Sequence, residues 1–436
     1  MRWSLSSLLT LLMFISILAI SVGFSEVTSQ IIITNAGAIG NDIFANTGSA
    51  KDIQTAINWV VARGGIGKVY LPAGNFNFVN VGDPWKTVNI PAGVSLFGAP
   101  TQRDSAGQVV SWNTTLIMPY DVPGDWSSAP SWFTLVGSGD KSRPSRISDI
   151  KLVGYRSINP SSTTLHVGIS VTSVMNFRID HVMFEHCCGG GIGIGGLKCN
   201  GVIDHCKLVN VYGFDNLVDY ASGNIGYGIS GPSRAYTGVT FDPTMSVLGK
   251  YTDYTVFIED SYFSKWRHCV SSDHGGYYVF RYCVVDQDFG HYSLDVHGLR
   301  DTEAGRAGGR GAEIYENIFT NLSEHTFEGL FQDGGGCGVW FNNYVDTTYA
   351  SSGIQLYQED YVASDTWHLK DFYLWSKKGP WNPANPAAGF TADRNVFCDW
   401  NRQAGNSTDS NYPNVDSSWA IAGYKPYTYP HPLTLG

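Results

Sequence analysis

Histidine, aspartate and arginine are concentrated in one part of the chain, between Lys265 and Arg310. Four of the 11 histidines lie in the 36 residues 265–300, where an even distribution would place about one. Imidazoles exchange protons near neutral pH, arginine neutralises carboxylates, and paired carboxylates bind calcium or act as acid and base. The candidate catalytic residues are His268, His291, His297, Arg267, Arg310, Asp273 and Asp295, with Lys265, His274 and Gln332 as candidate substrate-binding residues.

A weak repeat indicates how these residues are positioned. The runs IDHVMF (179–184), IDHCKL (203–208) and IEDSYF (258–263) align, and the uninterrupted steps of the repeat are 24, 22 and 26 residues. Steps of this length, with short strands and no helix, predict an all-β fold, a parallel β-helix (a single-stranded solenoid). We expect stacked asparagines in one column of the alignment, which holds Val182, Cys206, Ser261, Cys283, Asn317, Asn343 and Asn395.

Offsets from this column place the candidate residues relative to one another. His268 and His291 follow their column positions by seven and eight residues, and Asp273 and Asp295 both follow theirs by 12. Equal offsets in successive coils lie about 4.8 Å apart, the strand spacing. The pattern therefore predicts a line of histidines and a line of carboxylates that converge, with the other candidates, on one wall.

The rest of the chain is divided by its composition. Residues 1–25 are typical of a secretory signal peptide, because the run 8–20 is apolar and small residues follow it. Ser49 and Asp52 form a capping box that predicts a short helix over 49–63, capping the solenoid. The expected units are a cap with the first coils over 26–110, the β-helix over 111–400 with loop insertions at 212–254, 298–311 and 346–391, and a C-terminal tail over 401–436.

The last insertion is rich in aromatic residues, with ten of them between residues 344 and 390. Flat aromatic faces stack on sugar rings, so Trp367, Tyr373 and Trp375 are candidate substrate-binding residues. Packing of the insertion against the wall of the solenoid would explain the same composition.

The composition also excludes several classes of protein. The net charge of −10 argues against a nucleic-acid partner. After the signal segment, no apolar run is long enough to span a bilayer, so we expect no stable membrane insertion. The eight cysteines form no pair of CxxC units, and GGGIGIGG (189–196) lies outside any βαβ unit, so we expect neither structural zinc nor an organic cofactor. Asp180 and Asp204, each followed by histidine, are interpreted as exposed strand positions.

Several segments resemble one known superfamily. NAGAIGND (35–42) and DIQTAINWVVARGGIGKVYLPAGNF (52–76) are similar to the N-terminal cap of the pectate-lyase-like superfamily of secreted right-handed parallel β-helix proteins. RHCVSSDHGGYYVFRY (267–282), HYSLDVHG (291–298) and GAEIYENIF (311–319) resemble later coils of the same proteins. The resemblance implies a right-handed solenoid that acts on carbohydrate. It assigns no catalytic residue, because neither the polygalacturonase motifs nor the calcium ladder of the pectate lyases occurs in full in this sequence.

Three functions remain open at this point. In a lyase acting on an acidic polysaccharide, Arg267 or Arg310 would neutralise the uronate and Asp273 with Asp295 could hold calcium. The base would be one of His268, His291, His297 or Lys265. In a glycosidase, Asp273 and Asp295 would be the carboxylate pair, and a spacing of about 4.8 Å would favour retention. The third function is a non-catalytic, cell-surface protein that binds glycan.

Overall fold

The structure of the protein is a computed structural model. It describes residues 41–80, 83, 86–105, 107–120, 131–155, 167–187, 190–196, 198–210, 227–234, 253–272, 275–286, 290–297, 309–320, 326–334, 337–345, 354–356, 371–375, 396–398 and 425–435. The chain winds through three long parallel sheets, A, B and C. Between residues 67 and 356 their strands follow one another in a repeating order, so each of these coils contributes one strand to each sheet. This topology is a right-handed parallel β-helix, as the sequence predicts.

The described strands are numbered in chain order and are grouped by sheet. Sheet A contains β1 (Ile43–Phe44), β2 (Gly67–Tyr70), β5 (Val94–Phe97), β10 (Arg146–Ser148), β13 (Phe177–Asp180), β16 (Gly201–Asp204), β19 (Thr255–Glu259), β22 (Tyr277–Arg281), β25 (Gly311–Tyr315), β28 (Cys337–Phe341) and β31 (Asp371–Trp375). Sheet B contains β3 (Gly74–Asn77), β8 (Thr114–Ile117), β11 (Lys151–Val153), β14 (Met183–Glu185), β17 (Lys207–Val209), β20 (Tyr262–Ser264), β23 (Val284–Asp286), β26 (Ile318–Thr320) and β29 (Tyr344–Val345). Sheet C contains β4 (Val88–Pro91), β9 (Ser131–Val136), β12 (Val167–Thr172), β15 (Gly190–Gly195), β18 (Tyr227–Arg234), β21 (Val270–Ser272), β24 (Gly290–Val296), β27 (Thr326–Asp333), β30 (Ile354–Leu356) and β32 (Val396–Cys398). An antiparallel pair, β6 (Gln102–Arg103) and β7 (Val109–Ser111), projects from an early coil.

The predicted helix is present as α1 (Ala50–Val61). Ser49 is its N-cap, and the Ser49 hydroxyl accepts a hydrogen bond from the Asp52 N–H at 3.2 Å. The face that the sequence periodicity predicts to be apolar is buried against the first coils, at Ile53, Ala56, Ile57 and Val60. Gly64 and Gly65 then turn the chain into β2 with positive φ angles of 107° and 67°, which glycine adopts without strain.

Stacked apolar side chains fill the interior of the solenoid. Along sheet A the strand register brings one inward residue of each coil above that of the previous coil, in the order Ile147, Ile179, Ile203, Ile258, Phe280, Ile314 and Trp340. All seven side chains are buried. Burying large aliphatic and aromatic side chains of this kind contributes about 1.5–3 kcal/mol each, so the stack is a main source of stability.

The corner between sheets A and B follows the predicted column. Before each of the described column positions 182, 206, 261, 283, 317 and 343 stands one residue with φ between 51° and 58°, a left-handed conformation that bends the chain sharply. Asn317 accepts from the Cys283 N–H at 2.9 Å, and its own N–H donates to the Asn343 side chain at 3.0 Å. The predicted asparagine stacking is therefore confirmed at these coils. Asn395 lies outside the described residues, and β32, which follows it, pairs in sheet C instead of sheet B.

Removing the Asn317 side chain is expected to destabilise the solenoid. In Asn317→Ala, the Cys283 N–H and the Phe280 carbonyl, which the Asn317 amide meets at 2.9 Å each, would lose their buried partner. Each buried polar group left unsatisfied costs roughly 1–3 kcal/mol. Denaturant unfolding should show this loss, whereas Ile318→Ala, at the exposed next position, should change stability by no more than about 0.5 kcal/mol. Equal effects of the two substitutions would contradict the asparagine ladder.

The prediction that two aspartates of sheet A are exposed is wrong. Asp180 and Asp204 are fully buried instead of exposed, although they lie on the outer side of sheet A. Arginines of the preceding strands of sheet A bind both aspartates. Arg146 binds Asp180 at 2.6 and 2.7 Å, and Arg178 binds Asp204 at 2.9 Å through two nitrogens. The C-terminal segment 425–435 then covers this face.

Parts of the segments expected as insertions form strands of the solenoid. Strand β18 lies within the expected insertion 212–254, and β30 and β31 lie within 346–391; all three pair with their neighbours in sheets C and A. The predicted signal segment, 1–25, lies outside the described residues. Within the described residues, no helix has the length and hydropathy needed to cross a bilayer.

Candidate functional site

Most of the described candidate residues lie on sheet C and at its two corners. The register of β21, β24 and β27 aligns Ser271, Asp295 and Gln332 in one line across three coils. His297 directly follows β24, where the chain leaves sheet C, and Lys265 lies at the corner that leads from sheet B into sheet C. The structure therefore brings Asp295, His297 and Gln332 to one end of the sheet C strands.

Asp295 and His297 form a close pair at the end of β24. The His297 Nε2 lies 2.9 Å from the Asp295 Oδ2, and the Ser271 hydroxyl donates to the same oxygen at 2.8 Å. Asp295 is fully buried, whereas the His297 side chain retains 19% of its exposure. A buried carboxylate that binds one imidazole nitrogen fixes the orientation of the ring and favours the tautomer that carries its proton on that nitrogen.

The electrostatic environment keeps Asp295 ionised. Burial alone would raise the pKa of this carboxyl, but the electrostatic interactions with His297 and His268 and the hydrogen bonds from His297 and Ser271 outweigh burial. The pKa of Asp295 is consequently lowered to about 2. Asp295 is therefore suited to orient His297 and to stabilise its protonated form, and it is not suited to donate a proton at neutral pH.

Buried polar atoms without a hydrogen bond cluster beside this pair. The Asp295 Oδ1 and the Ser293 hydroxyl, two positions apart on β24, have no hydrogen-bond partner among the described residues. Since almost all buried polar groups in native proteins are satisfied, two such atoms on one face of β24 indicate a place where water or a ligand binds. The hydroxyl of Ser272 also lacks a partner among the described residues, but Ser272 aligns with Val296 and lies on the opposite face of its strand. Sequence reasoning missed Ser271, because only the strand register places it next to Asp295.

His268 is buried beside the Asp295–His297 pair and does not face solvent. Its Nδ1–H donates to the Tyr292 carbonyl at 2.6 Å, and its ring stacks on Tyr227 with centroids 5.3 Å apart. The His297 ring lies edge-on, 6.3 Å away. Burial lowers the pKa of His268 to about 4. At neutral pH His268 is therefore an uncharged, positioned ring that packs behind the Asp295–His297 pair.

The candidate arginines lie at the two corners of sheet C. The His297 carbonyl accepts from the Gly309 N–H at 2.6 Å, and Arg310, a buried residue, follows Gly309 in the chain. The Arg310 guanidinium lies 5.5 Å from the ring centroid of Tyr254. Arg267 lies 5.7 Å from the ring centroid of Tyr227, at the opposite corner of sheet C. Guanidinium groups can neutralise an anionic ligand, which is the role that the sequence suggests for these two residues.

Two of the predicted lines are wrong in register. His268 aligns with Tyr292 and not with His291, and the strand neighbour of Asp295 in β21 is Ser271 and not Asp273. The cause is a difference in connection length: successive coils are offset by 22 residues in sheet B at β20 and β23 but by 24 in sheet C at β21 and β24. Offsets counted from sheet B therefore slip by two residues in sheet C.

The remaining candidates lie outside the described residues or are described only by the strand that contains them. Asp273, His274 and Trp367 lie outside the described residues. His291 lies in β24, and Tyr373 and Trp375 lie in β31, a strand of sheet A and not of sheet C. The described residues contain no group of three His, Cys, Asp or Glu side chains that could hold a metal ion. The Asp295 Oδ2 is engaged by Ser271 and His297, so the geometry of this carboxylate fits an Asp–His pair better than a calcium ligand.

His268 is expected to make stability depend on pH. Its pKa of about 4 in the folded chain lies below its ordinary value of 6.5, so the folded chain binds fewer protons than the unfolded chain between these values. The associated stability is present above pH 6.5 and is lost as the pH falls towards 4, by about 3 kcal/mol. In urea unfolding at pH 7 and pH 4, His268→Gln should lose correspondingly less than the native chain. An identical loss in both would show that His268 is not buried as a neutral ring.

Comparison with known proteins gives likenesses in structure. No family model matches the sequence, and no curated protein matches it. The chain is similar to PfbA, a surface adhesin of Streptococcus pneumoniae, at 12% identity and a TM-score of 0.41, over 79% of this chain and 89% of that chain. It is similar to the Dettilon tailspike protein at 12% identity and a TM-score of 0.41, over 78% and 63% of the two chains. For an alginate lyase from Paenibacillus sp. the identity is 12% and the TM-score 0.35, over 73% and 97%. These likenesses concern the fold alone.

Proposed function

We propose that this protein cleaves an acidic polysaccharide by β-elimination at the outer side of sheet C. The observation that carries the proposal is the Asp295–His297 pair, a buried ionised carboxylate that holds a partly exposed imidazole at 2.9 Å. In the neutral ring the proton on Nε2 points to Asp295, and we assign the role of base to the imidazole of His297.

In this reaction the base removes the proton at carbon 5 of a uronate residue. The electron pair forms the double bond to carbon 4, and the glycosidic oxygen on carbon 4 leaves and takes up a proton. His297 is the base, and Asp295 stabilises the imidazolium that forms. Arg310 or Arg267 neutralises the uronate carboxylate, which acidifies the proton at carbon 5. No step requires a metal ion, although an added cation could take the place of one arginine.

The same geometry argues against the glycosidase alternative. A glycosidase acid needs a raised pKa and a second carboxylate, whereas the pKa of Asp295 is lowered to about 2. In the neighbouring strands, Asp295 is flanked by Ser271 and Gln332. The strand neighbour of Asp295 in β21 is Ser271, so the register does not support the expected stacking of Asp273, which lies outside the described residues, on Asp295.

Sheet C also offers a path for a long glycan. The line that contains Asp295 continues towards the N-terminal coils through Ser271, Ser230, Gly193 and Ser170. The last three residues are partly exposed, and their small side chains leave the surface shallow. A linear polysaccharide could lie along this line, parallel to the solenoid axis, with its hydroxyls facing the serines.

A panel of glycans tests the proposal. Unsaturated uronate absorbs in the ultraviolet, so acidic polysaccharides should give an absorbing product with the native chain and neutral glycans should not. Asp295→Asn should give a much weaker signal, because the amide cannot stabilise the imidazolium. New reducing ends without ultraviolet absorbance would indicate hydrolysis, and binding without either signal would indicate a glycan-binding protein.

We also propose that the protein is secreted, because residues 1–25 have the composition of a signal peptide. The mass of exported protein should correspond to a chain that begins near residue 26. Exported protein that retains Met1 would contradict cleavage and would favour an N-terminal anchor.

A further inference from the structure

We infer that the outer face of sheet A is a peptide-binding groove, filled in this structure by residues 425–435, and that the same segment of a second copy of the chain can fill it instead. The segment contains no strand and ends in a short 3-10 helix, Pro432–Leu435. It is therefore not an extra strand of the solenoid but a ligand lying on its side.

The groove recognises the main chain of the segment. Arg281 donates hydrogen bonds to the carbonyls of Tyr427 at 2.8 Å and Thr428 at 3.0 Å, and Arg178 donates to the carbonyl of Leu433 at 3.1 Å. Hydrogen bonds to main-chain carbonyls bind an extended peptide with little dependence on its side chains, as in other peptide-binding proteins.

The acidic residues of the same face complete this recognition. Glu259 accepts from the His431 N–H at 2.9 Å, and Asp260 accepts from the Tyr429 hydroxyl at 2.6 Å. The His431 ring packs 4.5 Å from the ring of Phe257. The segment is thus held at both ends and in its middle by side chains from successive coils.

An apolar floor lies between these charged residues. Tyr427 and Leu433 pack on a cluster that is separate from the interior of the solenoid: Val202, Phe257, Tyr277, Val279, Tyr315, Cys337, Val339 and Phe341. All eight side chains are buried in the structure, and residues 425–435 contribute to their cover. Two anchoring side chains in an apolar groove, framed by hydrogen bonds, are typical of a peptide site.

The charged side chains of the groove are paired with one another and do not need the segment as a counter-ion. Arg281 binds Glu259 at 2.7 and 2.8 Å, and Arg178 binds Asp204. Leaving the groove therefore does not strand a buried unpaired charge, which would otherwise cost several kcal/mol. The groove is built by the solenoid itself and is available to any copy of the segment.

The position of the segment in the chain allows exchange between copies. Residues 399–424 separate it from β32, and a connection of 26 residues can reach at most about 90 Å. A connection of this length does not restrict the segment to its own groove, and reciprocal exchange would give a closed two-fold dimer.

Photo-crosslinking in mixed isotopes tests the exchange with the full chain. A benzophenone side chain replaces Tyr429, which is 42% exposed and whose ring centroid lies 3.8 Å from that of Tyr282. Equal amounts of unlabelled and nitrogen-15 protein are mixed, incubated and irradiated at several concentrations. Mass spectrometry then distinguishes crosslinks to β22 within one copy from crosslinks between copies.

The inference predicts mixed-isotope crosslinks to β22 whose share rises with protein concentration towards half of all crosslinks. An excess of synthetic peptide 425–436 should lower them. Mixed-isotope crosslinks that are absent at every concentration would overturn the inference. A benzophenone at Val110, which is exposed and outside the groove, is the control, and equal mixed-isotope crosslinking from that position would show non-specific association and would also overturn it.

Discussion

Replacing His297 by asparagine is expected to lower turnover by a factor of about 10²–10⁴, the usual contribution of a general base. The side-chain amide introduced by His297→Asn cannot accept the substrate proton, and it is too short to reach the position of the Nε2 atom, which lies 2.9 Å from the Asp295 Oδ2 in the native chain. The Ser271 hydroxyl still donates to Asp295, so the chain should remain folded, and any fall in the melting temperature is read separately from turnover. Initial rates on the best acidic glycan of the panel, together with thermal unfolding, measure both quantities.

The chain contains a matched control for this substitution. On sheet A, His205 makes the same kind of contact with a buried aspartate, with Nδ1 at 2.9 Å from the Asp204 Oδ2, and it is 27% exposed. His205→Asn removes an equivalent imidazole far from sheet C, and asparagine tolerates the left-handed backbone at this position. Full turnover in His205→Asn with lost turnover in His297→Asn supports the proposed base. Full turnover in both would exclude His297.

Replacing Arg281 by methionine is expected to lower the free energy of unfolding by about 3–5 kcal/mol, because the buried Glu259 would lose its cation. Arg281 is fully buried, and its guanidinium binds Glu259 and two carbonyls of the C-terminal segment. Urea unfolding of Arg281→Met measures the loss. The double variant Arg281→Met with Glu259→Met should recover a large part of it, since no unpaired charge remains.

The control for this prediction is an ion pair near the surface. Arg103 lies 3.3 Å from Asp149 at the hairpin β6–β7, where solvent screens the charges. Arg103→Met should therefore cost less than about 1 kcal/mol. A similar small loss in Arg281→Met would show that the Arg281–Glu259 pair on sheet A is not buried in solution.

The sequence predicts the solenoid because its signals are local. Ser49 and Asp52 specify the start of α1, and the steps of 22 to 26 residues specify the coil. The asparagine column is predictable because its residues directly follow the left-handed residue at the corner between sheets A and B. In the described coils the residue at this position has the same structural role each time. These features depend only on neighbours in the chain or on the adjacent coil.

The site is less predictable because connections between sheets vary in length. The two additional residues between β23 and β24 move Ser271 beside Asp295, where a constant offset places Asp273. The burial of Asp180 and Asp204 depends on a segment more than 200 residues later, whose contacts no periodicity shows. The clustering of charged residues between 265 and 310 marks the part of the chain that contains the Asp295–His297 contact, and its role as a site stays a prediction.

The mass balance of cleavage tests the central claim most directly. The native chain is incubated with a defined oligosaccharide of the most reactive acidic glycan, and the products are weighed by mass spectrometry. Elimination at the Asp295–His297 pair predicts two products whose masses sum to that of the substrate, one of them unsaturated, and predicts neither product from His297→Asn. Products whose masses sum to the substrate plus one water, or cleavage that persists unchanged in His297→Asn, would contradict the account.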